Sequence, residues 1–145
     1  MDSIDDFFVK ILFDKNNTIK FIVKGTSMLP SYKNNDIVLI KKQSNYSLGD
    51  IVVFKYDNNL FMHRIIKKHR NNYILKGDNS NQIEKTFISN IYGKVIQDKS
   101  NYVHSFIIRI FCMFSYLSYK HQKNQLIKKI YISFRECLFN KRKVK

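Results

Sequence analysis

Gly25-Thr26-Ser27-Met28-Leu29-Pro30 is the stretch around which the chain is organised, because it sets a Ser between a Gly and the only Pro in the protein. Only four Gly occur in 145 residues, and each opens or closes a segment: Gly25, then Gly49-Asp50, Gly77-Asp78-Asn79 and Gly93-Lys94-Val95. Gly this scarce is kept where φ is positive or where backbones approach closely. Ser27 is therefore expected on a shaped turn, with the other Gly marking turns around it.

Upstream of that turn, Thr18 to Lys24 reads as a strand that delivers the chain to Gly25. Before it, Ser3 followed by Asp6 resembles a capping box, and Ile4, Phe7, Phe8, Ile11 and Leu12 fall at helical spacing, which predicts a short amphipathic helix. Downstream, the β-branched runs Ile37 to Ile40, Ile51 to Phe54, Leu60 to Ile66 and Tyr73 to Lys76 are separated by Asn34-Asn35, Gly49-Asp50, Asp57-Asn58-Asn59 and Arg70-Asn71-Asn72. A last strand runs from about Ile91 to Gln97. Short strands with such frequent turn signals predict a mainly β core, a sandwich or a partly open barrel.

Residues 103–119 are mostly apolar around Arg109, and Leu126, Ile127, Ile130, Phe134, Cys137 and Leu138 line one helical face further on. Two amphipathic C-terminal helices are predicted, with a polar joint near residues 120–125 and a basic tail from Lys141 to Lys145. The first is short for a bilayer span of about 20 residues and carries Arg109 near its middle, so it is expected to lie in a membrane interface or to pack on the β core. The chain divides into a lead-in (1–24), a β core (25–98) and a basic helical region (99–145).

A hydrophobic fraction of 44% excludes a disordered chain, and 145 residues suffice for one domain with a real core. The formal charge is +15, and residues 103–145 hold ten Lys/Arg against the single acid Glu136. That excess suits an anionic membrane surface; no helix-turn-helix, zinc finger or aromatic stacking motif points to a specific nucleic acid. Cys112 and Cys137 lie in apolar stretches without His or Cys at metal-ligand spacing, so free thiols and no metal are expected. Asp2, Asp5 and Asp6 stand where a secretory signal would be basic, and no N-terminal membrane span is read; a cytoplasmic or peripherally membrane-associated protein is expected.

A Ser becomes a useful nucleophile only when a base takes its proton. Of four His, His63 is the one placed on a strand of the β core. Taken in order, Gly-x-Ser-Met-x-Pro, Gly-Asp with an apolar strand, His63-Arg64, Lys76-Gly77-Asp78-Asn79 and Gly93-Lys94-Val95 resemble the signal peptidase I family of serine proteases over about half the chain. The resemblance implies that family's β fold and a serine endopeptidase that removes a signal or leader segment from a precursor, with no cofactor. It assigns Ser27 as nucleophile and His63 as general base, at a position where bacterial members carry Lys and archaeal, endoplasmic-reticulum and sporulation-type members carry His.

The resemblance further implies that Asp78 holds the imidazole. His-type members also carry a pair of Asp further on, where this chain has Ile83 and Glu84, so the acid is open between Asp78 and Glu84. Gly25 and Thr26 stand at the turn and oxyanion positions, and Met28 is expected beside the substrate cleft. Asp36, Asp50 and Arg64 read as structural. With an ordinary imidazole pKa of about 6.5, activity is expected to fall below about pH 6.

Two other classes remain. Self-cleaving SOS-type repressors, DNA-associated regulators, share Gly-x-Ser-Met-x-Pro and the β fold, but use Lys where His63 stands and cut at Ala-Gly; this sequence has no Ala, which excludes self-cleavage at such a site. A non-catalytic binding module that keeps the fold is the third.

Overall fold

The β-branched runs pair into one antiparallel sheet. The computed structural model describes residues 18–96 and 105–140. Its strands are β1 (Thr18–Ile22), β2 (Ile37–Lys41), β3 (Ile51–Tyr56), β4 (Asn59–His69), β5 (Asn72–Lys76), β6 (Glu84–Phe87) and β7 (Ile91–Val95), with a 3-10 turn at Ile88–Asn90 between the last two. The spatial order is β1-β2-β7-β3-β4-β5-β6, so β1 and β6 are the sheet edges. A two-sheet sandwich is thus replaced by a single seven-stranded sheet. The expected helix at residues 3–12 and the basic tail lie outside the described residues.

Turn chemistry fixes the register at the centre of the sheet. Tyr56 faces Asn59 across the two-residue loop Asp57-Asn58, whose φ values of 47° and 61° are those of a type I′ turn. From there β3 and β4 pair without interruption to Ile51 opposite Arg64. Strand β6 has no apolar run; Glu84 and Thr86 face inward and Lys85 and Phe87 outward. The short, polar edge strand is invisible to hydrophobic patterning because its pairing with β5 supplies what its side chains do not.

Two apolar clusters hold the strands. Val23, Met28, Tyr32, Val38, Val53 and Met62 belong to one, and Val52, Phe54, Ile65, Tyr73, Leu75 and Ile91 to the other. Successive side chains of a strand point to opposite faces. Val52 and Val53 therefore serve different clusters.

The C-terminal helices are α1 (Ser105–Lys120) and α2 (Gln125–Asn140). Asn124 Oδ1 caps α2 by accepting from the N–H groups of Leu126 and Ile127. Phe111 of α1 stacks on Tyr131 of α2 at 5.6 Å between ring centroids and meets Phe139 edge-on at 5.2 Å. Both helices pack on the β core: on α1, Cys112 lies against the Ile65 carbonyl and a Cβ at Gly49 would run into Ile108, and on α2, Phe139 lies against Arg64 of β4. Among the described residues, no helix is long and apolar enough to cross a membrane.

Candidate active site

The loop from Val23 to Asp36 joins β1 to β2 and carries Ser27. Its neck is closed by Val23 N–H donating to the Asp36 carbonyl and Asn35 N–H donating to the Val23 carbonyl, both at 2.8 Å. Inside it, Leu29 N–H reaches the Thr26 carbonyl and Tyr32 N–H the Met28 carbonyl. Met28 and Tyr32, each 2% exposed, pin the loop to the core, leaving Ser27 half-buried between them and solvent. Met28 is thus an anchor under the loop, where the sequence reading expects it beside the cleft. Gly25 turns with φ of 83° and its N–H is held by Asn34 Oδ1; Thr26 is exposed.

His63 is buried on β4, and its Nε2 lies 3.2 Å from Ser27 Oγ. Its Nδ1 lies 2.8 Å from Glu84 Oε2. Register explains the second contact: Ile65 faces Leu75, Leu75 faces Glu84, and Ile65 shares a face of β4 with His63. Glu84 thereby reaches the imidazole diagonally across β5. An ionised carboxylate only accepts, so Nδ1 carries the proton and the Nε2 lone pair faces the Ser27 hydroxyl. The rings of Phe54 and Phe61, with centroids 5.9 and 5.8 Å from the imidazole, wall it on the same face.

Gly77 makes this approach possible. A Cβ there would stand 2.6 Å from the Ser27 carbonyl oxygen and 3.0 Å from His63 Nε2, and Asn79 N–H donates to the same carbonyl at 2.7 Å. The Gly77-Asp78-Asn79 turn is therefore the surface on which the Ser27 loop rests. Asn79 Nδ2 also donates to the Thr26 carbonyl at 3.3 Å.

Asp78 is turned to the other face. Arg64 Nε and Nη2 donate to its two oxygens at 2.9 and 2.8 Å, and Ser31 Oγ donates to Oδ2 at 2.5 Å. Of the two acids left open by the sequence, the fold brings Glu84 to His63 and gives Asp78 to Arg64. The reason is alternation: adjacent residues His63 and Arg64 leave β4 on opposite sides. Arg64 is sealed by the Phe111 and Phe139 rings at 5.5 and 5.2 Å, and its Nη1 donates to the Gly49 carbonyl. Asp36 and Asp50 hold turns through Lys33 N–H and Ser47 N–H.

Beside that pair lies Lys76, 1% exposed, its Nζ 3.2 Å from the Tyr131 hydroxyl. Burial pushes its pKa down to about 8, with Asp78 opposing the shift. Burial likewise pushes the Cys112 thiol up to about 12 and raises Tyr131 above the ordinary phenol range. Sequence reasoning missed Ser31, which carries no signature beyond lying next to the first motif, and gave Asn79 no role although it stands inside the Lys76-Gly77-Asp78-Asn79 motif. Among the described residues, no cluster of three His, Cys, Asp or Glu is placed to hold a metal, and both cysteines are free.

Residues 3–96 match a family model described as Peptidase S24-like. The LexA repressor of Limosilactobacillus reuteri strain DSM 20016 is 33% identical over 86 residues, covering 57% of this chain and 41% of that protein. The LexA repressor of L. reuteri subsp. reuteri strain JCM 1112 matches to the same extent. The chain thus aligns with less than half the length of these relatives. No solved structure matches it.

Proposed function

The chain belongs to the S24-like peptidase family and carries a serine-type peptidase domain; on that premise we propose an endopeptidase that cuts a precursor protein or peptide with Ser27, His63 and Glu84. The observation that carries the reading is the continuous line of contacts from Ser27 Oγ through both imidazole nitrogens to Glu84.

In this mechanism Ser27 Oγ attacks the scissile carbonyl while its proton passes to His63 Nε2. Glu84 holds the ring in the tautomer that accepts and offsets the charge of the imidazolium. The Ser27 backbone N–H donates to the developing oxyanion, with Thr26 beside it. His63 then gives its proton to the leaving amine, the C–N bond breaks, and an acyl-enzyme remains. Water, deprotonated by the same imidazole, releases the second product and restores Ser27. The resemblance to signal peptidase I favours a signal or leader segment as substrate.

A second reading, a regulator that cleaves its own chain, is favoured by the named relatives, which are repressors. Cleavage of an added peptide, compared with unimolecular loss of intact mass, separates the two. The test of the centre itself is labelling by a serine-reactive acylating probe, read by intact mass. Ser27→Ala and His63→Ala are each expected to lower the labelling rate by at least about 10³-fold. Undiminished labelling of either variant overturns the assignment.

A further inference from the structure

Behind the Ser27 loop, the turn at Asn79 and Ser80 faces the two helices across a cavity of about 230 Å³. We propose that this cavity binds a small phosphate-type oxyanion and that its occupancy is felt at Ser27 through Arg135 and Asn79.

The walls are rich in donors and contain no carboxylate. Lys128 and Arg135 supply two cations, with the amide of Gln122 and the hydroxyl of Ser80 nearby. Arg135 Nη1 donates to the Asp78 carbonyl at 3.1 Å and to Asn79 Oδ1 at 2.8 Å, but its buried Nε has no hydrogen-bond partner among the described residues. A buried N–H without an acceptor is rare in a finished structure and is relieved by a ligand oxygen. Lys128, half-buried, lines the same cavity. Of the nearby carboxylates, Asp78 is paired with Arg64, and exposed Glu136 pairs loosely with Arg135 Nη2 at 3.9 Å but does not line the cavity. Lys76 behind Tyr131 adds to the positive field. A tetrahedral oxyanion with several acceptor oxygens suits a wall that offers the Arg135 guanidinium and the Lys128 ammonium together.

The route to the nucleophile is one residue long. Asn79 accepts from Arg135 with its side chain and donates with its N–H to the Ser27 carbonyl. An anion that draws the guanidinium into the cavity competes for the hydrogen bond that orients Asn79, and the Ser27 loop rests on that residue. Coupling between two binding equilibria is reciprocal, so a peptide held reversibly at Ser27 alters anion affinity by the factor by which the anion alters its own. This second half rests on the reading of Ser27 as nucleophile; binding does not.

The experiment is calorimetric titration of the full chain with inorganic phosphate, with succinate and chloride at matched ionic strength as the other arms. Phosphate is expected to bind in the millimolar range or tighter, and Lys128→Ala, with an unchanged melting temperature in chloride, to weaken it about 10-fold. Equal affinity in both proteins, preference for succinate, or no saturable heat up to about 20 mM overturns the site. For the coupling, phosphate is expected to change the Ser27 labelling rate at least about 3-fold in the wild type and not in Lys128→Ala. Should no labelling occur at all, the Ser27 and Asn79 amide resonances report the same link. Phosphate that binds yet leaves both amides unmoved overturns the coupling alone.

Discussion

His63 and Arg64 are neighbours on β4, each buried and each paired with a carboxylate, yet they belong to different parts of the molecule. On one face, His63 joins Glu84 to a half-buried Ser27 and keeps one ring nitrogen for a proton. On the other, Arg64 and Asp78 form a bidentate pair closed over by Phe111 and Phe139, with Ser31 tying the Ser27 loop to the same carboxylate. The contrast separates two uses of a buried charge. In the proposed mechanism the first pair moves a proton; the second ties a loop and two helices together.

Removing Asp78 tests that division hardest. Asp78→Ala strands the Arg64 guanidinium in an apolar seat, and breaking one partner of a buried pair costs about 3–5 kcal/mol. Denaturant unfolding is expected to show a loss of that size, with the helices and the Ser27 loop loosening together. A variant that stays as stable as the wild type but loses activity would return Asp78 to the imidazole.

Glu84→Gln probes the opposite face. An amide keeps the shape but no longer fixes the accepting tautomer, so kcat is expected to fall about 10²-fold or more with little change in melting temperature. The signature is the inverse of the Asp78 result. Equal effects of both substitutions on rate and stability would erase the distinction between the faces.

The smallest expected effect comes from Lys76 on the sealed face. Its folded pKa of about 8 lies below the ordinary 10.5, so above about pH 8 the unfolded chain keeps a proton that the folded chain releases, and stability rises with pH. Cys112 and Tyr131, both raised, act with opposite sign from their ordinary values of 9.0 and 10.0 upward, which leaves pH 8 to 9 as the window for Lys76. There Lys76 is expected to add about 1 kcal/mol, and Lys76→Met to abolish the rise. Thermal melts across that range that coincide in slope would place the ammonium in a wetter site.

Much of this layout is legible in the residues. The β-branched runs and Asn/Asp turns mark β1 to β5 and β7, the apolar periodicity marks both helices and their joint, and the motif order draws attention to Ser27 and His63. Strand β6 escaped because Glu84-Lys85-Thr86-Phe87 is held by backbone pairing at the sheet edge and has no pattern of its own.

By itself the sequence determined the secondary structure that local pattern controls, and the positions of scarce residues such as Gly77, whose lack of a side chain is the condition for contact with Ser27. Only the tertiary structure decided which acid meets which base. Asp78 and Glu84 are both near in sequence and both chemically suitable, and the choice rests on strand alternation and on the register that sets Leu75 opposite Glu84. The cavity with Lys128 and Arg135 is likewise a tertiary fact: its cations come from α2 and its floor from a turn some 50 residues earlier. Local pattern is written in short-range sterics and hydrophobicity, whereas a site is written in distances between segments, which folding alone brings together.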